Sequence, residues 1–275
     1  MRIGAHVPTR GGLRSAIDAA RECGAEAVQV FISNPRAWAA PNISRAEAEG
    51  FRAAWLESGL GPLFVHAPYL VNIASPNPEF LLRSVDLARR SVAAAAAVGA
   101  AGFVVHAGSG GPDEPAAALE RAAATLQTVS GGGDTAVVVE LTAGTSGSVA
   151  ATFPEARRLF DAVDDDRLGL CADTCHLFAA GYGLDEPEGV EACFEDLRTC
   201  GLADRLVLIH ANDAKFARGS HRDRHEHIGE GNIGQAGFAA ILSRPELSGL
   251  AIVVETPGDL AAHARNIALL RELAG

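Results

Sequence analysis

Short runs of aliphatic and β-branched residues recur along the whole chain: Ile3–His6, Ala27–Phe31, Leu63–His66, Phe103–His106, Ala136–Glu140, Leu168–Asp173, Leu206–His210 and Ala251–Glu255. Most are almost wholly apolar instead of alternating, the pattern of parallel strands covered on both faces. Helical signals separate them. Leu13–Cys23 stops at Gly24. Ser44 and Glu47 make a capping-box pair before a helix that ends near Gly59. Asn77 and Pro78 read as N-cap and first residue of a long helix running to Gly99. Glu114–Val129, Pro154–Val163, Val190–Cys200, Gln235–Leu242 and Asp259–Leu273 complete the series. Eight strand–helix units of roughly 35 residues predict an α/β fold, a (β/α)8 TIM barrel forming one domain over residues 1–275.

The strand ends carry the chemistry. Seven of the eight runs finish on a potential metal ligand: His6, His66, His106, Glu140, Asp173, His210 and Glu255. Polar residues at the C-terminal ends of barrel strands face one mouth, where such folds keep their active sites. A single histidine there would read as structural. Seven convergent imidazoles and carboxylates cost several kcal/mol or more when packed without compensation, and divalent cations remove that cost. Asp173-Thr-Cys-His176 adds a candidate just past strand six, and Asp223-Arg-His225 lies in a long polar loop from Ala211 to Gly234. Histidine and carboxylate without thiolate suit Zn, Mn or Fe at a catalytic site. The candidates are too many for one four-coordinate ion, and two or three ions can share a bridging carboxylate.

Composition refines this picture. The chain has 275 residues, 48% hydrophobic and 21% charged, enough apolar surface for a large core. Its formal net charge of -11 argues against a protein that coats nucleic acid with a general basic surface, but not against a local cationic site built from metal ions. Lys215 is the only lysine, so phosphate contacts fall mostly to arginine. Cys23, Cys171, Cys175, Cys193 and Cys200 form no CxxC pair, and a reduced, cytoplasmic setting with packed thiols is expected. Neither a signal peptide nor a membrane span is expected. No Walker A motif or GxSxG elbow occurs, and Gly131–Gly133 reads as a helix-to-strand turn, not a phosphate loop.

The pieces GAHVPTRGG, NPRAW, HAPYLVN, VVHAGS, ADTCHLFAAGY, HANDAK, GSHRDRHEHIGEGNIG and VVETP resemble the endonuclease IV family of abasic-site DNA repair nucleases, in the family's order, from Gly4 to Pro257. The resemblance implies a trinuclear zinc cluster, with Mn2+ or Fe2+ possible at one site. One ion would be bound by His66, His106 and Glu140. A second would share Glu140 and add Asp173, His210 and Glu255. The third would be held by His176, Asp223 and His225. The implied reaction is hydrolysis of the phosphodiester 5′ to an abasic site, leaving a 3′-hydroxyl, with Glu140 orienting the attacking water. The implied partner is double-stranded DNA containing abasic sites, bound by a monomer. Arg36, Tyr69 and Leu70 match positions that enter the DNA at the lesion, where a wedge replaces lost stacking.

Two positions depart from the family's usual residues: Leu141 stands where Asn is common, and Ala107 where Pro is usual. His6 is expected beside the metals without binding them, while His221, His227 and His263 are expected to be uninvolved. Cys175 is expected to be a packed thiol instead of a nucleophile. The rival reading is a sugar isomerase or epimerase of the xylose-isomerase-like barrels. It needs only Glu140, Asp173, His210 and Glu255; His66, His106, His176, Asp223 and His225 are surplus to it. A metal- or DNA-binding protein without turnover is the non-catalytic alternative.

Overall fold

The computed structural model describes residues 1–130 and 135–275, so the turn expected at Gly131–Gly133 lies outside the described residues. Strands β1 (Arg2–His6), β2 (Val28–Val30), β3 (Leu63–His66), β4 (Gly102–His106), β5 (Ala136–Glu140), β6 (Gly169–Asp173) and β7 (Leu206–His210) run in order around a closed parallel barrel. A short antiparallel ribbon, β8 (Asp213–Ala214) with β9 (His225–Glu226), stands outside it, and β10 (Ala251–Val254) closes the barrel between β7 and β1. The helices are α1 (Ser15–Cys23), α2 (Arg45–Ser58), α3 (Pro78–Val98), α4 (Pro115–Ser130), α5 (Phe153–Val163), α6 (Thr174–Ala180), α7 (Pro187–Thr199), α8 (Gly234–Leu242) and α9 (Leu260–Ala274). The expected (β/α)8 architecture is therefore present. No described helix is long and apolar enough to cross a membrane.

Local sequence explains the main boundaries. Ser44 caps α2 with a complete capping box, Ser44 Oγ accepting from Glu47 N while the Glu47 carboxylate accepts from Ser44 N. Asn77 caps α3, with Pro78 at its first position. Thr152 and Glu155 repeat the capping box on α5, a signal the apolar pattern alone did not reveal. Two elements depart from expectation. Helix α6 follows β6 directly because Asp173, the last residue of the strand, also caps the helix by accepting from His176 N at 3.0 Å. The polar loop after β7 contains the β8–β9 ribbon.

The interior is built in layers. Most apolar side chains fill the shell between barrel and helices. A separate cluster inside the barrel consists of Ala27, Phe64, Val104, Val138, Cys171, Leu208, Ala251 and Val253. Seven of these stand two residues before Gln29, His66, His106, Glu140, Asp173, His210 and Glu255. Successive strand residues alternate faces, so both sets point inward. The apolar layer floors a polar mouth.

Candidate metal centre

The nine residues matched to the metal set are brought into three groups, each with ligand atoms within 4.8 Å of one another: His66, His106 and Glu140; Glu140, Asp173, His210 and Glu255; His176, Asp223 and His225. Glu140 belongs to two of them. Its Oε2 lies 3.0 Å from His66 Nε2 and 3.3 Å from His106 Nε2, and its Oε1 lies 3.1 Å from His210 Nδ1. Asp223 reaches His176 Nε2 at 3.2 Å and His225 Nε2 at 3.3 Å. Asp173 lies 3.6 Å from His225 Nε2 and 3.9 Å from His210 Nδ1, linking the second group to the third.

Hydrogen bonds on the far side of each ring decide which nitrogen faces the cluster. His66 Nδ1–H donates to Ala67 O at 2.7 Å, His176 Nδ1–H to Leu141 O at 2.8 Å and His225 Nδ1–H to Glu255 O at 3.2 Å. In the neutral imidazole each Nε2 then carries a lone pair pointing at carboxylate oxygens. Such an arrangement is repulsive unless a cation lies between, and histidines that bind metals are oriented in this way. His176 Nε2 and His225 Nε2 are buried without a hydrogen-bond partner among the described residues. Orphaned imidazole nitrogens beside Asp223 and Asp173 fit a divalent cation well.

The electrostatics agree. Burial opposes charge on Glu140, but His210 and His106 outweigh it and hold the carboxyl well below the usual range. Burial likewise disfavours the His176 imidazolium, but Asp173, Asp223 and Glu140 outweigh it and raise its pKa well above the ordinary value. For His225 the same contest, with Asp173 and Asp223 prevailing over burial, gives a pKa of about 9. His6, where burial prevails over Glu255, shifts downward. Four acids in one mouth draw protons onto the imidazoles around them, and bound cations replace those protons. Burial pushes the Cys171 thiol up to about 12 and raises the Cys175 thiol too, so neither offers a thiolate although each lies among ligand atoms.

The remaining candidates separate cleanly. His6 Nδ1 is 3.1 Å from Glu255 Oε1, beside the groups but in none of them. His263 is buried with Nε2–H donating to Thr256 O, and His227 Nδ1 meets the Asn266 amide. Leu141 is fully buried and contributes only its carbonyl to His176. Ala107 N–H donates to Glu140 O at 2.9 Å, a bond that proline in this place would lack. All five cysteines are free, and Cys175 is buried.

A cavity of about 800 Å3 lies over the cluster, lined by His6, His66, His106, His176, Asp223, His225 and Glu255 together with Arg36, Tyr69 and Arg224. Tyr69 N–H donates to Pro35 O, tying together the loops that carry Arg36 and Tyr69. Tyr69 is 60% exposed and Leu70 36%, large side chains left in solvent at the rim. Arg36 is exposed, and among the described residues its guanidinium has no ion-pair partner, so the surface salt bridge that would explain it away does not form.

Three positioning residues escaped the sequence reading. Gln29 hydrogen-bonds His210 and Glu255; its signal was a lone polar residue inside the apolar run Ala27–Phe31. Asn212 donates to Asp173 Oδ2 at 2.7 Å and accepts from Glu255 N at 2.8 Å. Asp213 accepts from the backbone N–H of Ala214, Gly229, Gly231, Ile233 and Gly234, folding the loop that presents Asp223 and His225. A Cβ on Gly231 would lie 2.4 Å from Asp213 Oδ1, so only glycine lets the backbone come this close.

The family described as the xylose isomerase-like TIM barrel matches residues 17–273. A probable endonuclease 4 of Streptomyces coelicolor is 42% identical over 278 aligned residues, covering 98% of this chain and 94% of that protein. The chain belongs to the endonuclease IV family. The crystal structure of endonuclease IV from Thermus thermophilus superimposes with a TM-score of 0.89 at 32% identity, over 99% of this chain and 98% of that one. A D-tagatose 3-epimerase-like protein, at 20% identity and a TM-score of 0.77 over 99% of this chain and 97% of its own, shares the fold. Fold alone therefore does not separate nuclease from epimerase; membership of the endonuclease IV family and the additional His and Asp groups do.

Proposed function

We propose that this chain is a metal-dependent DNA repair endonuclease that hydrolyses the phosphodiester 5′ to an abasic site and leaves a 3′-hydroxyl, as a cytoplasmic monomer. The observation that carries the reading is the convergence of His66, His106, His176, Asp223 and His225 with Glu140, Asp173, His210 and Glu255 around one cavity. An epimerase needs only the last four. The probable endonuclease 4 relatives support the same reaction.

The ligand sets are His66, His106 and Glu140 for the first ion, Glu140, Asp173, His210 and Glu255 for the second, and His176, Asp223 and His225 for the third, with zinc as the ion and Mn2+ or Fe2+ admissible at one site. Divalent cations there would activate water and offset charge on the phosphoryl group. Glu140 presents both carboxylate oxygens to the cluster, which supports a role in orienting the attacking water. The carbonyls of Ala67, Leu141 and Glu255 hold three imidazoles in the ligand-ready tautomer. Tyr69 and Leu70 offer apolar surface to the gap left by the missing base, while Arg36 and Arg224 bring positive charge to the backbone. A second groove of about 1030 Å3 shares His6, Phe31, Gly258 and His263 with the metal cavity.

The test is cleavage of an end-labelled duplex carrying one abasic site, with metal analysis of the same preparation. Expected are a single nick 5′ to the lesion, a product extendable by a polymerase, about three ions per chain, and loss of nicking after chelation. A single bound ion with epimerisation of a ketose would overturn the reading.

A further inference from the structure

Gln29 is the only polar residue in the apolar run Ala27–Phe31, and it is completely buried. A buried primary amide is costly unless its hydrogen bonds are made. This one contacts three strands. Its Oε1 lies 2.9 Å from His210 Nε2 on β7, its Nε2 lies 2.5 Å from Glu255 Oε1 just past β10, and Nε2 is also 3.0 Å from His6 Nδ1 on β1.

The orientation of the amide follows from charge. The Glu255 carboxylate only accepts hydrogen bonds, so the group facing it must be the Gln29 NH2. The Gln29 carbonyl oxygen is then turned to His210 Nε2, which must carry the hydrogen. In the neutral ring His210 Nδ1 is left with its lone pair, facing Glu140 Oε1 at 3.1 Å, Glu255 Oε2 at 3.5 Å and Asp173 Oδ2 at 3.9 Å. His66, His176 and His225 are each set by a backbone carbonyl, whereas His210 is set by a side chain and presents the opposite nitrogen.

We propose that Gln29 is a positioning residue for the second cation: it selects the His210 nitrogen and, with the same amide, turns Glu255 so that Oε2 faces the site. The proposal rests on the metal reading above. Gln29 stands at the inward, mouth-facing position of β2, two residues beyond Ala27 of the apolar layer, between His6 on β1 and the candidate ligand His66 on β3. Strand β2 thus contributes to the cluster through the partners of its glutamine instead of by coordination.

Two measurements test this. In zinc-loaded wild-type protein containing 15N-histidine, His210 should show a hydrogen on Nε2 with a one-bond splitting and none on Nδ1. A hydrogen on Nδ1, or none on Nε2, would overturn the proposal without any variant. Gln29→Leu keeps the volume and removes the amide contacts to His210, Glu255 and His6. Titrated with buffered zinc alone, it should bind one ion of the set about 10- to 100-fold more weakly, with the others held as in wild type. Unchanged affinity at every site would overturn the proposal, and should the variant fail to fold, the wild-type spectrum decides. If wild-type protein binds no divalent cation, the metal reading falls and this proposal with it, whereas cation binding with a hydrogen on His210 Nδ1 overturns this proposal alone.

Discussion

Inside the barrel two layers sit on the same strands, two residues apart, and obey different rules. Val104, Val138, Leu208 and Val253 form an apolar floor; His106, Glu140, His210 and Glu255 form the mouth above it. The floor requires little beyond volume and shape. In the mouth most polar atoms of the clustered side chains have a specific partner, and two orphaned ones beside Asp223 and Asp173, His176 Nε2 and His225 Nε2, point to where cations belong. Strand alternation lets one backbone serve both layers, and a one-residue slip of any strand would turn its ligand toward the helices. The floor holds the backbone still, and that fixed backbone gives the mouth its precision.

The difference can be broken deliberately. The largest effect is expected at Glu140→Gln, which keeps the shape but removes the charge shared by two ligand groups. Cleavage of the abasic duplex should fall by roughly 10²–10³-fold or more, and metal content should drop, while circular dichroism stays that of the wild type. A variant that cuts at the wild-type rate would show that the mouth is not where the chemistry happens. Next is Leu208→Ala, a fully buried floor residue two positions below His210. It should lower unfolding free energy by about 2–5 kcal/mol, read from the denaturant midpoint, while the folded fraction keeps its specific activity. Loss of activity without loss of stability would mean the layers are not separable. The smallest effect is expected at Asp213→Asn, outside the barrel. The amide presents N–H toward backbone donors, a change expected to cost about 1–3 kcal/mol, mostly locally. Hydrogen exchange at Gly229–Gly234 should speed up more than exchange in β5 or β7, and equal acceleration throughout would show that Asp213 supports the whole fold.

The barrel was legible because buried parallel strands leave nearly continuous apolar runs, and because their C-terminal residues are polar. The clustering of the strand-end candidates was legible for the same reason, and family motifs pointed to His176, Asp223 and His225, which lie beyond the barrel strand ends. What stayed hidden is instructive. Gln29 was missed because the apolar run extends to Phe31, whereas β2 stops at Val30 and its inward mouth position is Gln29. Helix α6 was missed because Asp173 reads as a strand end and a ligand, with no sign that it also caps a helix. Asp213 was one acid in a polar loop, and its five backbone donors, four of them at positions 229–234, come together only when the loop folds.

The order of strands and helices, the polar residue at nearly every strand end and the absence of a general basic surface are properties of the chain, set by hydrophobic period and residue type. Which ligands share an oxygen, which nitrogen each imidazole turns inward, and that a glutamine stands in for a ligand on β2 were decided only by tertiary structure. The reason is distance along the chain: Glu140 meets a histidine 74 residues before it and another 70 residues after it. Such partners are chosen by barrel closure and strand register, and a tautomer is set by whichever acceptor that closure places behind the ring.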